Sequence, residues 1–241
     1  MMRLYNSIVQ ATLLYSAELW ACCYMDRVEA VQTRFLKSFL SLPRNTPHYL
    51  VRLETGCHHL KIKVFRAMLK WWVKLLAMSD DRLPKICFKR LMEKSELPFS
   101  YNWALQLKSL LAAVGADHLW TDQNLKSVKY NLNDLVERLK NHCLSSDIDR
   151  VLNSKYNIIY RDVSALGGLE DYIQFRVNFK KIKFISQIRL ASNDSLRFFV
   201  GGKFHKIETG SVCLMCKKKT QTLEHIVAHC SALVNIRKLY I

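Results

Sequence analysis

Several patterns that mark catalytic sites are absent from this chain of 241 residues. There is no glycine-rich phosphate loop, no His-Glu-x-x-His motif and no nucleophile elbow of the Gly-x-Ser-x-Gly type. Catalysis by two metal ions needs closely placed carboxylates, and the only adjacent aspartates are Asp80 and Asp81. Because they follow a helical pattern and precede Arg82-Leu-Pro84, we interpret them as a helix-end loop. The chain by itself is therefore predicted to have no active site.

The sequence also lacks a long apolar run and a regular cysteine framework. Without about eighteen consecutive apolar residues, no transmembrane helix is predicted. The apolar start is interrupted by Gln10 and Glu18, and we interpret it as an amphipathic helix and not as a signal peptide. Five of the eight cysteines have no regular spacing: Cys22, Cys23, Cys57, Cys87 and Cys143. This favours free thiols in a reducing compartment, so we expect an intracellular protein, nuclear or cytoplasmic.

Acidic residues are scarce relative to basic ones. Twenty Asp and Glu stand against 37 Lys and Arg, which gives a formal net charge of +17. Such an excess is typical of proteins that bind a polyanion, most often RNA or DNA and less often an acidic membrane, although charge can also serve solubility alone. Half of the residues are apolar, so the chain can bury a core and is not a disordered tail. We expect the backbone of RNA or DNA as the partner, and no membrane.

The most informative feature is the pattern Cys-x2-Cys-x8-His-x4-Cys, formed by Cys213, Cys216, His225 and Cys230. Three thiolates and an imidazole suit tetrahedral Zn²⁺, and four protein ligands leave no position for a reactive water. We therefore predict a structural zinc site. His229 lies one helical turn after His225 and could replace Cys230 as the fourth ligand. The alternative to a metal site is a set of ordinary thiols.

Helical periodicity dominates the first part of the chain. The clearest amphipathic helix is predicted over Leu60–Met78, and further helices are predicted over Leu105–Val114 and Leu125–Cys143. Asp26-Arg-Val-Glu29 has the pattern of a capping box at a helix start. The polar segment Asn141–Asn157 is interpreted as a linker. The first part of the chain is therefore predicted to be a helical bundle.

Basic side chains form two groups that are candidate contacts to nucleic-acid phosphates. The first lies along the predicted helix Leu60–Met78 and comprises Lys63, Arg66, Lys70 and Lys74. The second is C-terminal and comprises Lys180, Lys181, Lys183, Arg189, Arg197, Lys203, Lys217, Lys218 and Lys219. A solvated helix face is the alternative for the first group. Phenylalanines interleaved with the second group could stack on unpaired bases or could form the core of a small module.

Two small structures are predicted in the C-terminal part. Gly201-Gly202 can supply the positive φ angles of a two-residue β-hairpin that runs from Arg197 to Ile207. Thr222 is expected to cap a helix whose first turn contains His225. The predicted fold class is therefore mainly α, with a small C-terminal β-hairpin beside the CCHC zinc module.

Several segments resemble the region that follows the polymerase palm in reverse transcriptases of non-LTR (LINE-type, jockey-like) retrotransposons. The matching motifs are, in chain order, Leu4-Tyr-Asn-Ser-Ile-Val9, Leu13-Leu-Tyr-Ser-Ala-Glu-Leu-Trp20, Val31-Gln-Thr-Arg-Phe-Leu-Lys37, Leu42-Pro-Arg-Asn-Thr-Pro47 and Val51-Arg-Leu-Glu-Thr-Gly56. Ser16 departs from the glycine that family members commonly carry. The Cys-His pattern, with Glu224 before His225 and Ile226 after it, is similar to the zinc knuckle near the C-terminus of these polyproteins.

The resemblance implies a helical thumb-like or linker region over 1–150, a basic connector over 151–189, and a β-hairpin with a zinc knuckle over 190–241. In this family the thumb tracks the template–primer duplex, and the knuckle helps to hold RNA or target DNA. Because the palm and its Asp-Asp motif have no counterpart here, we expect nucleic-acid binding without polymerase activity, in a fragment of a longer element protein. The missing palm or the full-length element protein is then a candidate partner. Two alternatives stay open: a zinc-stabilised protein-interaction module, and a pseudogene product without function.

Overall fold

The computed structural model describes residues 5–94, 102–155, 157–166, 168–174, 178–192, 195–200, 203–222 and 224–235. The fold is mainly helical, as predicted. The chain forms two compact units, one made of 1–33 with 58–146 and the other of 34–57 with 147–241. The domain boundaries at 150 and 189 stay a prediction. The two compact units are divided differently from the predicted domains, because 34–57 groups with 147–241.

Short helical turns open the described chain, at Tyr5–Gln10, Ala11–Leu13, Ala17–Trp20 and Ala21–Tyr24. The longer elements then follow in the order α1 Met25–Phe39, α2 His48–Thr55, α3 Leu60–Ala77, α4 Leu83–Glu93, α5 Trp103–Ala113, α6 Asp117–Asp122, α7 Leu125–Leu152, α8 Ile158–Val163, α9 Asp171–Gln174, α10 Phe179–Arg189, β1 Ser195–Val200 and β2 Lys203–Glu208. Among the described residues, no helix combines the length and the apolar character needed to cross a lipid bilayer.

Helix α3 lies at the centre of the first unit because its apolar residues recur at helical spacing. Phe65, Leu69 and Trp72 are fully buried, and the ring centres of Trp72 and Trp120 are 5.8 Å apart. The predicted helix Leu60–Met78 is confirmed to within one residue at its end. The four basic side chains predicted along it, Lys63, Arg66, Lys70 and Lys74, are all exposed.

Two predicted helix starts have different outcomes. The predicted helix Leu105–Val114 is present as α5, and its first turn is capped by Asn102, whose side-chain oxygen accepts a hydrogen bond from the Leu105 N–H at 3.1 Å. The capping box at the start of α1 is wrong, because α1 already begins at Met25, directly after a 3-10 turn. Glu29 Oε1 instead accepts a hydrogen bond from the backbone N–H of Lys61 at 3.0 Å. The Glu29 carboxylate, which the local pattern predicts to cap α1, therefore makes a tertiary hydrogen bond instead.

Helix α7 is longer than predicted. It contains the predicted Leu125–Cys143 and continues well beyond it, so the linker predicted over Asn141–Asn157 is wrong for most of its length. Cys143, Asp147 and Val151 are buried and stand four residues apart, which keeps one face of the helix in the interior. The sequence pattern did not predict this buried face, because one of its members, Asp147, is charged.

The strands β1 and β2 pair antiparallel in the register of a two-residue turn. Val200 lies opposite Lys203, and Arg197 lies opposite Lys206. The two turn residues between the strands are outside the described residues. Because side chains alternate along a strand, Arg197, Lys206 and Glu208 project from the same face of this hairpin.

Arg189 ends α10 inside the second unit. Its Nε donates to Glu54 Oε1 at 2.8 Å, and its Nη2 lies 2.8 Å from Glu170 Oε2. The Tyr172 hydroxyl also donates to Glu54, which is fully buried. The guanidinium is thus already paired with two carboxylates, and the Arg189 side chain is only 16% exposed. This pairing removes Arg189 from the predicted phosphate contacts.

A buried ion pair links α2 and α7 in the second unit. Arg52 Nε and Nη2 donate to the two carboxylate oxygens of Asp147, each at 2.7 Å. Both side chains are only 5% exposed. Loss of one partner would leave the other charge buried without its counter-ion, which is strongly destabilising.

We predict that Asp147→Ala lowers the free energy of unfolding by about 3–5 kcal/mol, measured by urea denaturation. Glu137→Ala is the control, because it removes an exposed ion pair with Lys140 on the same helix and should cost less than about 1 kcal/mol. The double variant Arg52→Met, Asp147→Leu should recover most of the loss, since no charge is stranded. Equal losses for Asp147→Ala and Glu137→Ala would contradict this role of the pair.

Candidate metal centre

The segment that carries the Cys-x2-Cys motif folds into a short loop closed by backbone hydrogen bonds. An antiparallel bridge joins Val212 to Thr220, and the Cys213 N–H donates to the carbonyl of Lys219 at 2.8 Å. Cys213 and Cys216 therefore lie within one tight turn, as their spacing predicts.

The other two predicted ligands come from a helical turn, His225–His229, and from the residue that follows it. Glu224 directly precedes this turn, and the Oγ1 of Thr222, the predicted cap, accepts a hydrogen bond from the His225 N–H at 3.0 Å. Cys230 follows the turn directly, and its N–H donates to the His225 carbonyl at 2.6 Å. One ligand atom from each of Cys213, Cys216, His225 and Cys230 lies within 4.8 Å of the other three. The four residues thus converge on one point.

Two separations within the cluster are close to those of a tetrahedral metal site. The sulfurs of Cys213 and Cys230 are 3.9 Å apart, and the Cys216 sulfur is 3.3 Å from His225 Nε2. With metal–sulfur bonds of about 2.3 Å and metal–nitrogen bonds of about 2.0 Å, tetrahedral angles give separations of about 3.8 Å and 3.5 Å. Cys213 and Cys230 are fully buried, and His225 is 6% exposed. The four residues could therefore hold a metal ion.

The pKa values of Cys216 and Cys230 are shifted in opposite directions by their surroundings. A hydrogen bond from the backbone N–H of Lys218, supported by that of Lys219, lowers the pKa of Cys216 to about 6 against the opposing effect of burial. Burial, together with the neighbouring thiols, raises the pKa of Cys230. Three thiolates in one site would repel one another, and a divalent cation at their centre would remove that repulsion.

The choice of fourth ligand, left open by the sequence, is decided by the positions of the side chains. Cys230 belongs to the cluster. The His229 side chain is 59% exposed, and its Nε2 is 3.2 Å from a carboxylate oxygen of Glu224. His229 therefore points to solvent, away from the other three ligands.

Gln221 positions the Cys-x2-Cys loop, and sequence analysis missed it. Its Nε2 donates to the carbonyl of Glu208 at the end of β2, at 2.7 Å. Its Oε1 accepts a hydrogen bond from the N–H of Leu214, between the first two cysteines, at 3.1 Å. Gln221 is only 2% exposed. A single glutamine between two threonines carries no sequence signal, because only the tertiary structure reveals its burial.

The predicted phosphate contacts divide between the two units. The four basic residues of α3 belong to the first unit, where Lys63 also donates to Gln10. In the second unit, the exposed members of the set are Lys180, Lys181, Arg197, Lys203, Lys217, Lys218 and Lys219. Lys183 is half-buried, and its ammonium nitrogen lies 4.8 Å from the centre of the Phe179 ring. All of the predicted cations except Arg189 and Lys183 are therefore exposed.

The interleaved phenylalanines are only partly described. The ring of Phe179 packs against that of Phe39, with 4.6 Å between ring centres, so it serves the core of the second unit. Phe184 is 48% exposed. The structure does not describe the other side chains of this set, which belong to Phe175, Phe198, Phe199 and Phe204.

Comparisons of the chain with protein-family models, with curated proteins and with solved structures give no match. The resemblance to non-LTR reverse transcriptases therefore rests on sequence motifs and stays a prediction. The geometry of the Cys-His cluster is independent of that resemblance.

We predict about one zinc ion per purified chain, measured by elemental analysis. The double variant Cys213→Ser, Cys216→Ser should lose it, because a serine hydroxyl is a poor ligand for zinc. Cys22→Ser, Cys23→Ser is the control, since these thiols are outside the cluster, and His229→Ala should also keep the metal. A folded wild-type chain without zinc would overturn the site.

Lys217 adopts the left-handed conformation, with φ 54°. That conformation costs a non-glycine residue about 1–2 kcal/mol. The loop closed by the Val212–Thr220 bridge is called the metal loop below. We predict that Lys217→Gly makes the metal loop more stable, so that more chelator is needed to remove half of the zinc. Lys218→Gly is the matched control, because it removes the same charge at a position without a positive φ. Equal chelator sensitivity in the two variants would contradict strain at Lys217.

Proposed function

We propose that this chain is a nucleic-acid-binding fragment related to the post-palm region of non-LTR retrotransposon reverse transcriptases, and that it has no polymerase activity on its own. The observation that carries the proposal is the convergence of Cys213, Cys216, His225 and Cys230 within 4.8 Å, beside three exposed lysines. The sequence motifs described above connect this arrangement to the retroelement family.

Zinc is the metal that fits the cluster best. Three thiolates and one imidazole form a soft donor set, which favours Zn²⁺ over oxygen-preferring ions such as Mg²⁺ and Ca²⁺. Four protein ligands complete a tetrahedral shell, so the ion supplies folding energy to a small module and activates no water. In this proposal the ion orders the loop that presents Lys217, Lys218 and Lys219.

Exposed cations of the second unit support phosphate binding. Lys180 and Lys181 lie in the first turn of α10, and Lys217, Lys218 and Lys219 lie in the metal loop. Each exposed Lys that contacts a phosphate releases a condensed counter-ion, so affinity falls steeply with salt. This electrostatic contribution is independent of sequence and gives the proposed binding its main driving force.

The basic stripe of α3 is a second, separate candidate surface. Lys63, Arg66, Lys70 and Lys74 follow one another at spacings of three or four residues, which places them along one side of the helix. At 1.5 Å per residue, they span about 16 Å. This length corresponds to about five base pairs of a duplex. A helix of this kind can follow one strand of a template–primer duplex.

A protein-interaction module is the second candidate function. Val212, Leu214 and Met215 in the metal loop are 61%, 74% and 59% exposed. Exposed apolar side chains that are grouped in one loop favour contact with another macromolecule. In that case the zinc site would stabilise a protein-docking loop, and the nearby lysines would only keep it soluble.

Charge reversal separates the two functions. We predict that Lys180→Glu, Lys181→Glu, Lys183→Glu abolishes binding of RNA or DNA at physiological salt, measured by fluorescence anisotropy, while zinc content is unchanged. The matched control is Lys126→Glu, Lys129→Glu, Arg150→Glu, which makes the same charge change at exposed positions of α7. Wild-type affinity should fall with salt with a log–log slope of about −0.9 per phosphate contact.

Three results would contradict nucleic-acid binding by this surface. They are undetectable binding by the wild type, affinity that does not change with salt, and equal losses in the two triple variants. The first two would favour the protein-interaction module, and the third would show that only overall charge matters.

A further inference from the structure

A cleft of about 590 Å³ lies within the second unit, between the turn that precedes α2, the C-terminal end of α10 and the β-hairpin. Its volume falls within the range of about 300–1,000 Å³ that is typical of small-ligand sites. We call it the α10 cleft, and its lining includes Tyr49, Asn157, Gln187, Arg197, Lys206 and Glu208. None of the four metal ligands lines it, so it is a feature separate from the metal centre.

The interior of the α10 cleft is held in place by hydrogen bonds. Asn157 Nδ2 donates to the carbonyl of Ala191 at 3.1 Å, and Gln187 Nε2 donates to the carbonyl of Ser41 at 3.1 Å. Both amide side chains are almost completely buried. The site is therefore pre-formed, and a ligand does not have to order it.

The chemistry of the lining suits a planar heterocycle. Tyr49 is half-buried and offers an aromatic ring, while Pro43, Pro47 and Leu190 offer apolar surface. Polar groups of Thr46, Ser192 and Ser195 are interspersed with these apolar contacts. A nucleobase has two apolar faces and a rim of hydrogen-bonding atoms, so it can use both kinds of contact.

Two cations of like sign stand directly opposite each other on the wall that the hairpin contributes. Arg197 and Lys206 form a cross-strand pair, and like charges in such pairs are destabilising. Lys206 is compensated by Glu208, at 2.6 Å. Arg197 is exposed and makes no ion pair within the described part of the chain. An anion bound beside Arg197 would relieve this repulsion, and a phosphate suits the forked donors of a guanidinium.

We propose that the α10 cleft binds one unpaired nucleotide, with its base against Tyr49 and its phosphate at Arg197. A nucleotide of a single strand and a free mononucleotide share this chemistry. Three exposed lysines elsewhere in the second unit, Lys180, Lys181 and Lys203, favour the strand, because they can contact phosphates farther along it. The inference rests on the proposed nucleic-acid binding and adds a single-strand preference to it.

The test is fluorescence anisotropy of the full chain with a labelled single strand of about 12 nucleotides and with a blunt duplex of equal length. Tyr49→Ala should weaken single-strand binding by about 5- to 150-fold, the effect of losing one stacked base, and should leave duplex binding unchanged. Tyr49→Phe, which keeps the ring, should bind like the wild type. Arg197→Gln should weaken single-strand binding and make its salt slope shallower by about 1. Tyr130→Ala and Arg90→Gln, exposed residues elsewhere, are the matched controls.

The outcomes separate this inference from the proposed function. Unchanged single-strand affinity in Tyr49→Ala and Arg197→Gln, with normal wild-type binding, would overturn the nucleotide site and leave the nucleic-acid function standing. No wild-type binding to either strand or duplex would overturn the proposed function itself. Calorimetric titration with adenosine and uridine monophosphates then decides the ligand's source. Binding of monophosphates, without strand binding, would overturn the single-strand inference in favour of a free-nucleotide site.

Discussion

In the second unit, the guanidinium of Arg189 neutralises Glu54 of α2 and Glu170 before α9, and it also lies 5.5 Å from the centre of the Tyr172 ring. Burial raises the pKa of the Glu54 carboxyl, and the hydrogen bonds from Arg189 and Tyr172 oppose that effect. An unpaired charge at such a depth would cost several kcal/mol. The packing of α2, α9 and α10 in the second unit is therefore compatible with a charged Glu54 only while Arg189 remains in place.

Arg189 is the last residue of α10, so its two ion pairs hold the point from which the C-terminal residues continue. Leu190 is buried directly after α10 and lines the cleft, and β1 begins a few residues later. At the end of β2, the carbonyl of Glu208 accepts the hydrogen bond from Gln221 that holds the metal loop. Among the described residues of this segment, buried polar side chains thus contribute to its geometry. Because hydrogen bonds are directional, such contacts position a site more narrowly than apolar packing of the same size.

Hydrophobic periodicity and ligand spacing are the sequence features that predict helix α3 and the Cys-His cluster. Helix α3 was predictable because Phe65, Leu69 and Trp72 repeat with the helical period, and the cluster was predictable because its ligands lie close together in the sequence. The continuation of α7 beyond Cys143 was not predictable, because its buried face includes Asp147, whose partner Arg52 is distant in sequence. For the same reason Arg189 looked like an exposed cation. Burial of a charge is decided by partners that local patterns do not show.

The metal centre and the basic loop are coupled through the backbone. The backbone N–H groups of Lys218 and Lys219 lower the pKa of the Cys216 thiol, so the residues that carry two cations also favour the thiolate form of a candidate metal ligand. If the proposed zinc ion is bound, its complex with three thiolates has a net charge of −1, which would draw the three lysines of the loop toward the centre without cancelling their excess. Without the ion, these residues would have to be ordered upon binding, at about 1–2 kcal/mol of conformational entropy each. A structural metal can thus raise affinity for a polyanion without contacting it, because it keeps the cations in an ordered loop.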